Sequence, residues 1–408
     1  MGITIRSMDA APKKFIPTPF QYHEELTLNI QNLTNEGRGI GRINNWAVMV
    51  PFVVPGETVR VRIFRNHKNY SEADLIEVLE PSPHRIAPKC PLFGHCGGCQ
   101  YQHLTYEEQL KWKRQQISDC LERIGKIKAD VPPVVPSEKT YGYRTKLTPH
   151  FDRRGSQCPI GFLAVDQRRT IVDVPQCPIA SDAINAALPD VRAQVQASSA
   201  RNGTCLLRED KNGILTHCNA VGTANVQSLT LEFSAGSFFQ NNPYILNALV
   251  THLKTWIQQH PKVQFLLDAY CGTGVFGLTL ASQVKQFIGI ESDEKSIHLA
   301  RRNLQLNAIT NGEFIQGNAN ALFANVPFEA AKTCLIMDPP RKGSCTDFLT
   351  QLLAFEPQAI LYISCAPDTQ ARDLQILLQG PYTLTHIQPF DMFPQTKHIE
   401  CLAILEHR

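Results

Sequence analysis

Five groups of residues in this chain have the types and spacing that chemistry requires. Tyr362-Ile-Ser-Cys365-Ala-Pro closes an apolar run and leads into a helical one, so a thiol stands beside a helix N-terminus, where a lowered pKa would make it nucleophilic. In Asp391-Met-Phe-Pro-Gln-Thr-Lys-His398-Ile-Glu400 a carboxylate follows a histidine by two residues. In an extended strand both would face one side, which makes Glu400 a candidate general base. The third group, Asp268-Ala-Tyr-Cys-Gly272-Thr-Gly274-Val-Phe-Gly277, has glycines that permit a tight strand-to-helix turn and close backbone approach to a ligand. Glu291, 23 residues after Asp268, can accept both hydroxyls of a ribose, a pattern that fits NAD and S-adenosylmethionine alike. The fourth, Asp338-Pro-Pro-Arg-Lys-Gly343, has prolines that fix where its carboxylate points. Arg341 occupies the place where enzymes that methylate exocyclic amines carry an aromatic residue, which argues against N-methylation. The fifth, Cys90-x5-Cys96-x2-Cys99 with Gly94, Gly97 and Gly98 interleaved, gathers three thiols within ten residues, as metal ligation requires. Cys158 and Cys177, each opening a Cys-Pro-Ile segment, compete as the fourth ligand, and the spacing suits zinc or an iron–sulfur cluster.

Three kinds of element must position these residues. Residues 23–80 read as short strands (Leu26–Ile30, Trp46–Phe52, Glu57–Phe64, Glu72–Leu79) with turns at Glu36-Gly37-Arg38-Gly39 and Asn44-Asn45, a spacing that predicts a small β-barrel. After a proline-rich boundary at residues 81–88, Gln102–Ile127 has Leu110, Ile117, Leu121 and Ile124 at helical spacing, and 140–233 is mixed. From Tyr244 onward helices alternate with the strands Val263–Tyr270, Gln286–Glu291, Thr333–Met337 and Ala359–Ser364, and terminal strands follow from Tyr382. That alternation predicts a doubly wound parallel sheet, whose carboxyl ends are where such sheets hold ligands.

The 408 residues suffice for two or three domains with cores of their own, and 43% hydrophobic with 19% charged residues excludes bulk disorder, collagen and coiled coil. Residues 1–180 hold 24 Lys/Arg against 18 Asp/Glu, whereas 181–408 hold 16 against 19, so a polyanion partner belongs to the front half. No apolar run approaches the ~18 residues of a membrane span. Met1-Gly-Ile-Thr-Ile-Arg6 has no apolar leader core, so a cytoplasmic, reducing setting is expected, in which the thirteen cysteines are ligands, nucleophiles or small apolar groups. Nothing in the sequence demands more than a monomer.

Together these segments resemble the uracil-5 methyltransferase family that modifies uridine in ribosomal and transfer RNA. The likeness lies in Cys90-Pro-Leu-Phe-Gly-His-Cys96-Gly-Gly-Cys99-Gln-Tyr-Gln-His, Ser237-Phe-Phe-Gln240-Asn-Asn242, Tyr362-Ile-Ser-Cys365 and Asp391-Met-Phe-Pro-x-Thr-x-His-x-Glu400, and it covers about residues 23–408. It implies a multidomain chain: an OB-like TRAM β-barrel over 23–82, a central α+β iron–sulfur domain over 83–233 and an α/β doubly wound class I SAM-dependent methyltransferase domain over 234–408. It implies a [4Fe–4S] cluster on Cys90, Cys96, Cys99 and Cys177, Cys365 as nucleophile and Glu400 as base. Gln240 and Asp338 are then expected near target base and cofactor, with Asp268, Gly272, Gly274, Glu291 and Asn318 on S-adenosylmethionine. The implied partner is RNA, ribosomal ahead of transfer RNA. Two positions depart from the family pattern: Ala366 stands where Asn usually follows the nucleophile, and Asn318 where many SAM folds have Asp. An amide oxygen can still accept from an adenine amino group. The competing readings are a metal-stabilised RNA-binding protein without this activity, and an N-methyltransferase.

Overall fold

The computed structural model describes residues 11–153, 158–167, 169–320, 323 and 326–408. The segment Met1–Arg6, read above for a leader, lies outside the described residues. No helix among the described residues is long and apolar enough to cross a membrane.

Five strands, Glu25–Leu33, Arg38–Ile43, Trp46–Pro51, Thr58–Asn66 and Tyr70–Glu80, close into a barrel. Alternation explains its filling: Val59, Val61 and Ile63 point inward while Arg60 faces out. Asn44 and Asn45 both have positive φ (47° and 66°), the backbone that a tight two-residue hairpin demands. Arg38–Ile43 corrects the expected turn through Arg38-Gly39, because its glycines serve close strand approach. A Cβ on Gly39 would lie 2.2 Å from Val53.

The predicted helix begins four residues late, as α1 (Tyr106–Cys120), capped by the Thr105 hydroxyl and continued by one wide turn, Leu121–Gly125. The central region contains a four-stranded sheet, a three-stranded sheet, a hairpin and α2 (Asp182–Ala197), a helix the sequence reading did not place.

The C-terminal part is built on a seven-stranded sheet in the spatial order 312–316, 286–291, 265–269, 333–337, 359–364, 400–407, 382–390. Helices α3 (Pro243–Gln259), α4 (Val275–Leu280), α5 (Glu294–Leu306), α6 (Thr346–Phe355) and α7 (Pro367–Leu377) flank it. Each strand alternates between two apolar cores: Leu266, Ile336 and Leu361 belong to one, Leu267, Leu335 and Ile360 to the other. The sheet is parallel except that Glu400–His407 runs antiparallel between its two neighbours. This reversal decides the site, since it carries the start of the last strand to the edge where the parallel strands end.

Candidate active site

Strand register brings the chemistry together. Met337 pairs with Tyr362 and Ser364 with Cys401, so Asp338, Cys365 and Glu400 emerge side by side at one edge of the sheet. They share a cavity of about 1140 Å³ with Gly272, Glu291 and Gln240. His398 lies in the turn before the last strand, not within it, which corrects the expected alternation with Glu400.

Position alone does not set the thiol's reactivity. Burial pushes the Cys365 thiol up to about 12, and the Glu400 and Asp338 carboxylates beside it push the same way. This overturns the expected depression by the helix N-terminus: a partial dipole is outweighed by desolvation and two carboxylates that the fold brings in from elsewhere in the chain. Arg341 opposes the rise, by its charge and by a hydrogen bond donated to the sulfur. Glu400, itself buried, is held well above the carboxylate range by desolvation and by Asp338, again with Arg341 opposing. Burial likewise raises Asp338. The exposed Arg341 also approaches the His398 ring at 3.4 Å.

The Asp338–Gly343 loop is fixed from α7. Ser344 N–H donates to Asp373 Oδ2 at 2.9 Å, and the Tyr362 hydroxyl donates to the same oxygen at 2.8 Å. The Thr369 hydroxyl donates to Arg341 O at 3.1 Å. Gly343 has φ 76°, and a Cβ there would lie 2.8 Å from Asp373 Oδ2.

At the other end of the cavity the glycine turn has the shape expected for a nucleoside cofactor. Gly272 (φ 55°) borders open space, with nothing within 4 Å of where a side chain would begin. Glu291 accepts Gly272 N–H at 3.1 Å through Oε2, and Ser292 and Asp293 N–H through Oε1, which fixes its carboxylate at the cavity edge. Asn318 lines the same wall. An open cradle, a fixed carboxylate and an amide fit a nucleoside cofactor. Asp268 and Gly274 stand behind that wall. Asp268, raised to about 8 by burial, accepts Gly277 N–H at 2.8 Å and so ties the turn to α4. Gly274 (φ 87°) admits no side chain, as a Cβ would lie 2.4 Å from Phe314.

Gln240 lines the cavity on a segment braced by a residue the sequence reading missed. Arg208 is 1% exposed and lies over the rings of Phe233 and Phe239, with centroids 4.7 and 5.4 Å away. It donates to Gln240 O at 3.3 Å and Asn241 Oδ1 at 2.7 Å. The sequence carried no local signal for it, since Arg208 stands in Cys205-Leu-Leu-Arg208-Glu-Asp and the two rings come 25 and 31 residues later.

A second cavity, of about 410 Å³, is lined by Cys90, Cys96, Cys99 and Cys177. Cys158 packs elsewhere, against Phe151, Ile160 and Val195. Burial raises Cys96 to about 11 and Cys99 to about 12, and the facing thiols add to both. Among the described residues no three His, Cys, Asp or Glu side chains gather tightly enough to hold one metal ion. Four part-buried thiols around one space, whose thiolates would repel one another, are a donor set that suits a polynuclear cationic centre.

Residues 220–408 match the family described as tRNA (Uracil-5-)-methyltransferase, and 21–76 match the TRAM domain. The tRNA (uracil(54)-C(5))-methyltransferase of Schizosaccharomyces pombe is 35% identical, over 95% of this chain and 79% of that protein. Its namesake from Saccharomyces cerevisiae is 32% identical, over 96% of this chain and 75% of that protein. Among solved structures, the Pyrococcus abyssi tRNA (uracil-54, C5)-methyltransferase in complex with S-adenosyl-L-homocysteine aligns with a TM-score of 0.72 at 25% identity, covering 93% of this chain and all of that one.

Proposed function

The chain belongs to the tRNA (uracil-5-)-methyltransferase family, and from that premise we propose that it methylates C5 of one uridine in structured RNA through a transient bond from Cys365 to the pyrimidine. The observation carrying this reading is the antiparallel pairing of Ser364 with Cys401, which sets a thiol against a buried carboxylate over the cavity that the glycine turn borders.

C5 of uracil is a weak carbon nucleophile, and addition of a thiolate to C6 raises its electron density. With the thiol held up near 12, the thiolate must be made in the assembled site: Asp338, a stronger base for being raised, takes the proton, while Arg341 N–H stabilises the anion left on sulfur. Once protonated, Asp338 donates, with the Gln240 amide, to the charge developing at O4. S-adenosylmethionine supplies the methyl group when bound. Glu291 accepts from its ribose, Asn318 from its adenine amino group, and the Gly272 turn admits its backbone contact. Glu400, ionised with the help of Arg341, then removes the C5 proton, and the C6–sulfur bond breaks to release the thiolate, which takes its proton back from Asp338. The uridine must leave its stack for both faces to be reached, which costs a few kcal/mol and favours loops.

The Arg144 to Lys146 segment holds RNA phosphates in this reading, because the front half's basic excess lies in residues 83–180, with 15 Lys/Arg against 9 Asp/Glu, whereas residues 23–82 hold 6 against 8. The sequence favoured ribosomal RNA, but the relatives are named for uracil 54 of transfer RNA, and the proposal follows them. Cys90, Cys96, Cys99 and Cys177 hold a [4Fe–4S] cluster that braces the central region. The test is digestion of transfer RNA treated with the protein and S-adenosylmethionine. The expected product is 5-methyluridine, absent with Cys365→Ala; methylated adenine, or 5-methyluridine still formed by that variant, contradicts the reading.

A further inference from the structure

The turn that delivers Glu400 is held from outside at four consecutive carbonyls. Met392 O accepts from Asn242 Nδ2 at 3.1 Å, Phe393 O from Lys113 Nζ at 3.0 Å and Pro394 O from the Tyr143 hydroxyl at 3.0 Å. Gln395 O accepts from the N–H groups of Gln100 and Tyr101 at 3.1 and 2.9 Å. Gln395 itself is 3% exposed and has φ 70°, a conformation that a glutamine keeps only when its surroundings fix it. Gln109 supplies that constraint: its Oε1 accepts Gln395 N–H at 3.0 Å, and its Nε2 donates to Gln395 Oε1 at 3.0 Å. One helical turn further along α1, Lys113 meets Asp391 at 2.6 Å, with both side chains fully buried.

Buried amides and ion pairs carry a desolvation penalty that well-packed apolar side chains avoid, so the polar face of α1 is a poor choice for stability alone. It does define one position for a turn in which Phe393, Thr396 and His398 line the cavity just before Glu400. We propose that Gln109, Lys113 and Tyr143 are positioning residues for Glu400. Through them, and through Gln100 and Tyr101 beside Cys99, the front half of the chain sets where the base stands relative to Cys365. The proposal rests on the reading of Glu400 given above.

A displaced base should let the thiol add and the methyl transfer, but should stall removal of the C5 proton, so protein linked to RNA accumulates. The experiment compares the full chain with Gln109→Met, Tyr143→Phe and, as reference, Glu400→Gln, on transfer RNA with S-adenosylmethionine. It reads kcat, KM and RNA-linked protein on a denaturing gel. Misplacing a group by an ångström slows a step about 100-fold at most here, so Gln109→Met should lower kcat about 10- to 100-fold and Tyr143→Phe about 3- to 10-fold. Because the stalled step follows methyl transfer, KM for RNA and cofactor should fall along with kcat, keeping kcat/KM within about two-fold of the unsubstituted enzyme, while linked protein accumulates as in Glu400→Gln. Unchanged kcat in the two positioning variants, or a lower kcat with no linked protein, overturns the proposal. Should Gln109→Met fail to fold, Tyr143→Phe, which loses one hydroxyl, decides alone. If Glu400→Gln itself accumulates nothing, the assignment of the base fails and this proposal with it.

Discussion

Replacing Arg341 with leucine removes the cation that Cys365 and Glu400 share. A hydrogen bond to an ionised group is worth about 1.5–3 kcal/mol, and because Arg341 is exposed, water screens its charge and the lower end, about 1.5 kcal/mol, applies. That is about one pKa unit, so thiolate and the rate of adduct formation should fall about tenfold at any pH below the thiol's titration. The sign follows from the raised thiol: with a pKa near 12, the protonated form dominates at neutral pH and thiolate grows as pH rises. In alkylation without RNA, which needs the free thiolate, both proteins therefore lie on the rising limb from roughly pH 7 to 9, with parallel profiles about tenfold apart. Rapid-quench single turnovers measure the adduct, and iodoacetamide labelling of the Cys365 peptide reports the thiol without RNA. Arg341→Lys keeps a charge and should recover part of the loss. Equal rates in the arginine and leucine proteins at matched RNA and cofactor occupancy, or a deficit that disappears by pH 9, would refute the reasoning.

Gly274→Ala puts a methyl group 2.4 Å from the Phe314 ring at φ 87°. It should lose about 1–3 kcal/mol of stability in urea melts and bind S-adenosylmethionine more weakly in calorimetry. Lys113→Met strands a fully buried Asp391 and should lose about 3–5 kcal/mol in the same melts, most of it regained in Lys113→Met/Asp391→Leu. Cys177→Ala should lower the iron content and visible absorbance of anaerobically reconstituted protein, whereas Cys158→Ala, outside the thiol-lined cavity, should leave both unchanged.

The parallel strands were legible because strands buried on both faces read as continuous apolar runs. Gln286–Glu291, Thr333–Met337 and Ala359–Ser364 stand where the sequence puts them. The direction of Glu400–His407 was not legible, since residue pattern does not encode whether a strand runs with or against its neighbour. Helix α1 shows another limit. Its apolar stripe predicts Ile124 as a core residue, yet Ile124 is 40% exposed while Gln109, Lys113 and Gln116 are buried. Periodicity weighs side chains by polarity alone, whereas here Lys113 and Gln109 have partners more than 270 residues away, Asp391 and Gln395, and Gln116 donates to Thr34 O in the barrel. The thiol's raised pKa was hidden for the same reason, because its main cause is burial by the folded chain, and the Glu400 and Asp338 carboxylates that add to it come from other strand ends. Cys158 and Cys177 are alike in spacing and local sequence; the family resemblance chose Cys177, and the fold puts that residue on the thiol-lined cavity and Cys158 elsewhere.

The most direct measurement is mass spectrometry of the species that Glu400→Gln forms with transfer RNA and S-adenosylmethionine, after combined nuclease and protease digestion. The account predicts one cross-linked peptide, with a methylated uridine attached at Cys365. A cross-link at any other residue, or a nucleotide attached without its added methyl group, would contradict it.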